Sequence, residues 1–283
     1  MIPPISEPAM REIVARALAE DLGPGDVTTL ATVDPEACAR AAIIAKAEGV
    51  VAGLGVARAV FLALDANVVF EAALSDGDRV TPGVAVARIA GRAQAILTGE
   101  RAALNFLQRM SGIATLTSRF VAAVAGTRAR ICDTRKTAPG LRLLDKHAVR
   151  AGGGVNHRAG LFDGVLIKDN HIRAAGGIAE AVKRARAGSH HLLKIEVEVA
   201  TPEDVGEALR AGADVLLLDN MDVSAAEEAT REAHRHRCTV EISGGVSLEN
   251  VRAYAECGAD YISVGALTHS APALDLSLEI VEE

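Results

Sequence analysis

The chain has 283 residues and a net charge of -7, and only 2% of its residues are aromatic, with no tryptophan. So few aromatic side chains argue against a surface that stacks on bases, and nucleic acid is therefore not an expected partner. The four cysteines lie too far apart for a metal or redox pair, so we expect buried thiols in a reducing, cytoplasmic compartment. Charged residues interrupt the most apolar span and MIPPISEPAM lacks a basic leader, so neither membrane insertion nor secretion is expected.

The first hundred residues are predicted to form a helix followed by a small β-rich unit. PAMREIVARALAEDLG has apolar residues at helical spacing and is followed by glycine and proline. The β-type runs, separated by glycine-rich turns, are ARAAIIAKAEGVVAGLG, NVVFEAAL, SDGDRVTPG and VAVARIAGRAQAIL. A second helix is predicted from Gly99 to Gly126, which Gly112 could interrupt. We expect the boundary between two domains to lie inside this helix.

Beyond this helix, apolar runs recur every ~20 to 35 residues, as βα units require. The runs are RARICDT, GVLIKDN, LLKIEVEV, DVLLLDN, TVEISGG and YISVGA. Their apolar character on both faces fits parallel strands in either a β/α barrel or a doubly wound sheet. Polar residues at the ends of different runs favour a barrel whose strand ends converge on one mouth; these residues are Asp133, Lys168, Glu196, Asp219 and Ser243.

Basic residues are concentrated in one part of the chain. Between Arg128 and Arg173 there are ten lysines or arginines and only four aspartates, although the whole chain is acidic. The cations expected at strand ends are Arg135, Lys136, His157, Arg158 and Lys168. An unbalanced cation in a shared cavity is strongly disfavoured, so this set indicates a ligand with several carboxylates or phosphates. Internal salt bridges are the alternative explanation.

The last two junctions between strand and loop, EISGGVSLENV and ISVGALTHSAP, predict a phosphate site. Each places small residues where backbone N–H groups can approach an anion. Consecutive late loops of a β/α barrel commonly hold phosphate, whereas a pair of glycines alone could serve only a tight turn.

Acidic residues in the same mouth suggest a metal ion. Glu196 and Asp219 could pair with the cations, but Mg²⁺ is the preferred interpretation if the ligand carries a pyrophosphate, and Glu198 would share the task from the same strand face. Lys168 in an apolar run also fits a Schiff-base lysine, which would make the protein an aldolase. A third class, a biotinyl-type carrier, is suggested by SDGDRVTPGVAVARIAGRA, but no lysine stands at a hairpin tip there.

Long stretches of the sequence resemble the quinolinate phosphoribosyltransferases. The central signature is DTRKTAPGLRLLDKHAVRAGGGVNHRAGLFDGVLIKDNHI. Further blocks extend the resemblance along nearly the whole chain: EDLGPGDVTT, TGERAALNFLQRMSGIAT, KIEVEV, LLLDN, EISGGV and SVGALTHSAPALDLSLEI. A related branch linked to molybdenum transport shares parts of this signature, but the combination of NHR, LIKDNH and EVEV is typical of the quinolinate enzymes.

The resemblance implies a reaction and a fold. Phosphoribosyl pyrophosphate and quinolinate, a pyridine with two adjacent carboxylates, would give nicotinate mononucleotide, pyrophosphate and carbon dioxide, a step of NAD biosynthesis. The fold would be an incomplete seven-stranded β/α barrel, over residues 113–270, with an N-terminal α/β sandwich domain, residues 1–112, completed by the tail 271–283.

The resemblance also implies roles for individual residues. The quinolinate carboxylates would be held by Arg101, Arg135, His157, Arg158 and Lys168, with Lys136 near both substrates. Mg²⁺ and the ribose hydroxyls would face Glu196 and Asp219, and the phosphates would lie near Ser243, Gly244, Gly265 and His269. Arg101 precedes the barrel and would serve the neighbouring subunit, so a homodimer or larger oligomer with a shared active site is expected.

Overall fold

The computed structural model describes residues 5–281, and the chain divides into two compact units. The first unit contains the residues up to Ser118, residues 137–153 and the residues from Leu267 onward. The second contains residues 119–136 and 154–266. The domain limits expected from the sequence, near residues 112 and 270, remain predictions. No helix among the described residues combines the length and apolar character that crossing a bilayer requires.

The helices and strands alternate differently in the two parts of the chain. In chain order they are α1 (Glu7–Leu22), α2 (Val27–Thr32), β1 (Cys38–Ala45), β2 (Gly49–Val50), α3 (Leu54–Leu64), β3 (Val69–Ala72), β4 (Arg79–Val80), β5 (Ala85–Arg92), α4 (Ala93–Ala123), β6 (Arg130–Cys132), α5 (Arg142–Ala151), β7 (Val165–Ile167), α6 (Asp169–Ala175), α7 (Ile178–Gly188), β8 (Ile195–Val199), α8 (Pro202–Arg210), β9 (Val215–Asp219), α9 (Val223–Arg235), β10 (Thr239–Ser243), α10 (Val251–Glu256), β11 (Tyr261–Ser263), α11 (Ala266–His269) and β12 (Leu276–Val281).

The first unit is built on an antiparallel sheet with the strand order β12, β1, β5, β3. β1 pairs with β12 on one side and β5 on the other, and Ile43 and Ile89 from β1 and β5 are fully buried. The predicted first helix is confirmed as α1, and β-type runs are confirmed at β1, β3 and β5. Two details of the prediction were wrong. Helix α3 went unrecognised, and the residues AQAIL are the first turns of α4 and not part of a strand.

Helix α4 runs without interruption through Gly112, so the interruption that the glycine could have caused is absent. The glycine is explained by close packing within the first unit. A Cβ added at Gly112 would lie 2.0 Å from the carbonyl oxygen of Pro272 and 3.0 Å from the Cα of Ala273. A backbone segment therefore lies directly against the helix, at a position that only a residue without a side chain allows.

We expect Gly112→Ala to destabilise the protein, by roughly 1 to 3 kcal/mol, because the overpacking outweighs the gain in helix propensity. Urea unfolding of the variant and the unchanged protein measures the difference. Gly55→Ala is the matched control, since Gly55 is helical and exposed in the same unit and a Cβ there meets nothing within 4 Å. Equal effects of the two substitutions would contradict the packing explanation.

The second unit contains a parallel sheet with the order β6, β11, β10, β9, β8, β7. All six runs predicted from the sequence are strands of this sheet, so that prediction is confirmed. Its central strands are buried, with Val197, Leu216, Leu218 and Val240 fully enclosed. Helices α7, α8 and α9 contact the sheet between successive strands, as parallel connections require.

Val155 lies beside the edge strand β6 and adds one isolated parallel bridge to this sheet. Val155 pairs with Cys132, donating its N–H to the oxygen of Ile131 at 2.8 Å and accepting the N–H of Asp133 at 3.2 Å. The described residues thus contain six parallel strands and a single paired residue where the expected seventh strand would lie.

Candidate active site

A cavity of about 290 Å³ lies in the second unit, at the carboxyl ends of the parallel strands. Carboxyl ends of parallel strands are the usual place for a ligand site, because the following loops meet there. Its lining includes four cations, three acids and three hydroxyl groups: Arg135, Lys136, Arg158, Lys168, Glu198, Asp219, Glu241, Thr134, Ser243 and Ser263. His157, Leu166 and Leu217 complete it. The predicted convergence of cations on one mouth is therefore present in the structure.

Two arginines on the cavity wall lie close enough to repel each other. Burial lowers the pKa of the Arg158 guanidinium, and the charge of Arg135 lowers it further, although Glu196 and Asp163 act in the opposite direction. Arg158 is held by a hydrogen bond from its guanidinium to the oxygen of Gly164 at 2.9 Å. A ligand with two carboxylates would offset the repulsion between the guanidinium groups.

Lys168 forms an ion pair with Glu198, and both residues line the cavity. The Lys168 side chain is 46% exposed. The Schiff-base interpretation rested on burial of this lysine in apolar surroundings, and the structure does not provide such surroundings. Lys168 is therefore better suited to electrostatic contact with a ligand than to covalent catalysis.

Asp133 organises the segment that carries His157 and Arg158. Its carboxylate is fully buried and accepts hydrogen bonds from the backbone N–H of His157 at 2.9 Å and the amide of Asn156 at 2.5 Å. These bonds connect the end of β6 to a segment that has almost no sheet pairing of its own. The sequence placed Asp133 at a strand end but gave no sign of this supporting role.

Three acidic residues of the parallel sheet stand at two depths. Glu198 and Glu241 both pair in register with Leu217, so they stand level on either side of β9, and both line the cavity. Glu196 lies two residues closer to the amino end of β8 and is buried below them. The sequence prediction placed Glu196 at the end of its strand; the structure puts Glu198 there.

Glu196, Glu241 and His157 form a largely buried cluster, and two of its members, His157 and Glu241, also line the cavity. The Nε2 atom of His157 lies 3.0 Å from Glu196 Oε2 and 3.9 Å from Glu241 Oε1. Burial raises the pKa of the Glu241 carboxyl to about 7, and the nearby Glu196 carboxylate contributes to the rise, while His157 opposes it. Glu241 was missed in the sequence, although a glutamate inside the apolar run TVEISGG is a signal of the same kind as Glu196.

The ends of β9 and β10 meet beside the cavity. Asp219 and Ser243 are paired in register, and the side-chain amide of Asn220 donates to Asp219 Oδ2 at 2.8 Å. Gly244 has a φ of +91°, and a Cβ there would lie 2.3 Å from Asn220 Oδ1. A residue without a side chain is therefore required at the predicted phosphate junction, and the close approach of the β9 turn explains why.

Two of the predicted site residues belong to the first unit. Arg101 is an exposed residue of α4, and His269 lies in α11 with its Nδ1 2.6 Å from the hydroxyl of Ser270. Gly265, by contrast, follows β11 in the second unit. The participation of Arg101 and His269 in the site remains a prediction.

A parallel α/β sheet with a cation-lined cavity at its carboxyl edge is typical of α/β enzymes that bind small anions. Two family models match: the quinolinate phosphoribosyl transferase N-terminal domain over residues 26–111 and the C-terminal domain over residues 113–279. The chain belongs to the quinolinate phosphoribosyltransferase family.

Individual relatives support this assignment along the full length. A probable nicotinate-nucleotide pyrophosphorylase [carboxylating] of Bacillus subtilis is 44% identical and covers 96% of this chain and 93% of its own length. The solved nicotinate-nucleotide pyrophosphorylase from Francisella tularensis superimposes with a TM-score of 0.94 at 38% identity, covering 99% of each chain. That from Ehrlichia chaffeensis gives 0.92 at 39% identity, covering 99% of this chain and 100% of its own.

Proposed function

We propose that the cavity of the second unit is the catalytic site at which this chain transfers phosphoribosyl from phosphoribosyl pyrophosphate to quinolinate, with release of carbon dioxide. The observation that carries the proposal is the convergence of Arg135, Lys136, Arg158 and Lys168 on one cavity. Quinolinate supplies two adjacent carboxylates, which match guanidinium forks and a lysine point charge.

The part of the cavity formed by the ends of β9 and β10 suits the phosphoribosyl group. Asp219 and Ser243 stand level at the ends of neighbouring strands, followed by the turn at Gly244. Hydroxyl and backbone N–H groups at strand ends are ordinary phosphate partners, and a carboxylate is suited to ribose hydroxyls. Gly265, which follows β11, and His269 are proposed to complete the phosphate contacts.

The residues present fit a Mg²⁺ ion beside this phosphate site. Asp219 lies on the cavity wall and Glu198 stands nearby on β8, and Mg²⁺ is commonly bound through one or two carboxylates together with substrate phosphates. Of the two glutamates of β8, Glu198 lines the cavity, whereas Glu196, which the resemblance assigned to the metal, is bound to His157, so we propose Asp219 and Glu198 as ligands. The ion would neutralise charge on the departing pyrophosphate.

The chain contributes binding and orientation to the reaction, and no side chain forms a bond to substrate. The pyridine nitrogen attacks C1 of the ribose as the bond to pyrophosphate breaks. Asp219 and Glu198 stabilise the positive charge that develops on the ribose. The bond between ring C2 and its carboxylate then breaks, its electron pair stays on C2 beside the cationic nitrogen, and carbon dioxide leaves. C2 takes up a proton from water to give nicotinate mononucleotide. Arg135 and Arg158 hold the carboxylates so that the nitrogen faces C1.

Release of labelled carbon dioxide from carboxyl-labelled quinolinate tests the proposal. We expect release only when phosphoribosyl pyrophosphate is present, and loss of turnover when EDTA removes Mg²⁺ from a protein that stays folded. Release without phosphoribosyl pyrophosphate would contradict the transfer mechanism, and full turnover in metal-free buffer would contradict the metal assignment. Borohydride trapping of a substrate on Lys168 would instead support the aldolase alternative.

We further propose that the six parallel strands, with Val155 in the seventh position, form an incomplete barrel, and that the active unit is a homodimer. The bridge between Val155 and Cys132 supports the first point, because it extends the sheet beyond β6. The second point is supported by the exposed position of Arg101 on α4, outside the unit that holds the cavity. A two-fold dimer would allow each Arg101 to serve its partner's site.

Mixing two inactive variants tests the shared site. Arg101→Ala and Lys136→Ala should each be nearly inactive, but co-folded mixed dimers would hold one site with both defects and one with none. Random pairing makes about half of the dimers mixed, so activity should recover to about a quarter of the unchanged protein. Mixing Arg135→Ala with Lys136→Ala is the control, because both residues belong to one unit and no intact site can form. A mixture of the first pair that exchanges subunits and stays inactive would place Arg101 in its own site or in none.

A further inference from the structure

Both ring nitrogens of His157 are occupied by protein groups. The backbone N–H of Arg158 donates to Nδ1 at 2.8 Å, and Nε2 lies 3.0 Å from Glu196 Oε2. A backbone N–H can only donate, so Nδ1 must be the unprotonated, accepting nitrogen. Nε2 then carries the single ring proton, and this N–H donates a hydrogen bond to the Glu196 carboxylate. The hydrogen bonds therefore specify a neutral ring and one tautomer.

Two buried carboxylates lie beside the ring. Glu196 and Glu241 are buried, and among the described residues neither Glu196 Oε1 nor Glu241 Oε1 has a hydrogen-bond partner. Buried acceptors without partners are costly, and a nearby N–H offsets part of that cost. The Nε2 atom of His157 lies 3.0 Å from Glu196 Oε2 and 3.9 Å from Glu241 Oε1, so both carboxylates lie near this nitrogen.

Hydrogen bonds fix both the ring and the backbone of His157, which directly precedes Arg158. Its own backbone N–H is held by Asp133 at 2.9 Å, its Nε2 by Glu196, and its Nδ1 holds the next backbone N–H. The imidazole thus connects the buried part of β8 to the main chain of Arg158. The Arg158 guanidinium, which lines the cavity, extends from that fixed point.

We propose that His157 is a positioning residue and not a cationic ligand of the substrate. As a neutral ring protonated at Nε2, it spans from Glu196 to the backbone of Arg158 and fixes where the Arg158 guanidinium enters the cavity. Glu196 and Glu241 act through His157. The inference rests on the proposed function, because it concerns how the quinolinate carboxylates are held.

The ring protonation can be observed without turnover. Nitrogen NMR of the resting protein carrying ¹⁵N-labelled histidine, with His157→Gln to assign the signals, should show Nε2 protonated and Nδ1 unprotonated at neutral pH. Two protonated nitrogens, or an unprotonated Nε2, would overturn the inference. Because this measurement needs no substrate, its failure is separate from any failure of labelled carbon dioxide release.

Steady-state kinetics supply the second test. Glutamine at position 157 keeps an uncharged donor that reaches Glu196, whereas lysine keeps a positive charge but cannot accept the Arg158 N–H. We expect the KM for quinolinate to rise about tenfold more in His157→Lys than in His157→Gln, with a smaller change in the KM for phosphoribosyl pyrophosphate. Better quinolinate binding in the lysine variant would show that charge is what matters and would overturn the proposal.

A matched pair at Glu196 separates hydrogen bonding from charge. Glu196→Gln retains an acceptor for Nε2–H, whereas Glu196→Leu has none. The leucine variant should therefore raise the KM for quinolinate several times more than the glutamine variant, as loss of a buried hydrogen bond predicts. Equal effects of the two changes would place the role of Glu196 in its charge and would contradict positioning through His157.

Discussion

Arg158→Ala is expected to lower the affinity for quinolinate by roughly 30-fold or more, because losing one partner of a desolvated charge pair typically costs ~2 to 5 kcal/mol. Arg158 shares the cavity wall with Arg135, which already lowers its pKa by charge repulsion. A dianion bound between them interacts with both, so either truncation removes half of the contact. Arg158→Lys should show an intermediate loss, since a point charge does not reproduce a bidentate fork.

Isothermal titration with quinolinate measures this effect, and thermal unfolding checks that the variant is folded. Removal of one of two repelling guanidiniums should leave the unliganded protein at least as stable, while the stabilisation by quinolinate is largely lost. Arg184→Ala is the control, because Arg184 is an exposed residue of α7 paired with Glu180. Unchanged quinolinate affinity in Arg158→Ala would remove this arginine from the proposed site.

Arg109→Ala is expected to cause the largest loss of stability, ~3 to 5 kcal/mol, because it leaves a buried carboxylate without its ion pair. Arg109 binds Asp145 through two hydrogen bonds, at 3.0 and 2.8 Å, and also donates to the oxygen of Thr268 at 3.2 Å. Asp145 is completely buried and accepts the backbone N–H of Ala138 as well. All of these residues belong to the first unit, so the pair connects three separate parts of its chain.

Urea unfolding of Arg109→Ala, compared with Arg11→Ala, tests this expectation. Arg11 also pairs with a carboxylate, that of Glu7, but both side chains are largely exposed, so its removal should cost less than about 1 kcal/mol. The double variant Arg109→Met, Asp145→Leu should recover part of the loss, since it leaves no buried charge behind. A small effect of Arg109→Ala alone would mean that Asp145 is reached by water or is neutralised in another way.

The parallel strands could be predicted because burial on both faces leaves a distinct pattern of apolar runs ended by polar residues. The start of α4 could not. AQAIL continues an alternating strand pattern from β5, yet alanine, glutamine and leucine favour helix, and only packing in the first unit decides between them. Helix α3 could not be predicted for a similar reason. Its apolar residues follow the glycine-rich segment of β2, and no polar residue between them marks where the helix begins.

The sequence predicted which charged residues form the candidate site, but not how far along its strand each acidic residue lies from the cavity. Alternation places Glu196 and Glu198 on one face of β8, and the sequence does not show which one stands level with the cavity. The register with Leu217 decides in favour of Glu198. The contacts of Asp133 and Glu241 with His157 were also beyond prediction, since they depend on neighbouring strands that are distant in sequence.

The segment that carries His157 and Arg158 has a single residue, Val155, paired with the sheet. Beyond this residue, the backbone amides of His157 and Arg158 are held by the side chains of Asp133 and His157, not by a neighbouring strand. The backbone of this wall therefore depends on which side chains are present, whereas the backbone of most of a parallel sheet is fixed by hydrogen bonds between neighbouring strands. We expect a substitution in this short segment to re-aim Arg158 and leave the ladder bonds of β6 to β11 in place, so selectivity among dicarboxylate ligands could be altered here without rebuilding the sheet.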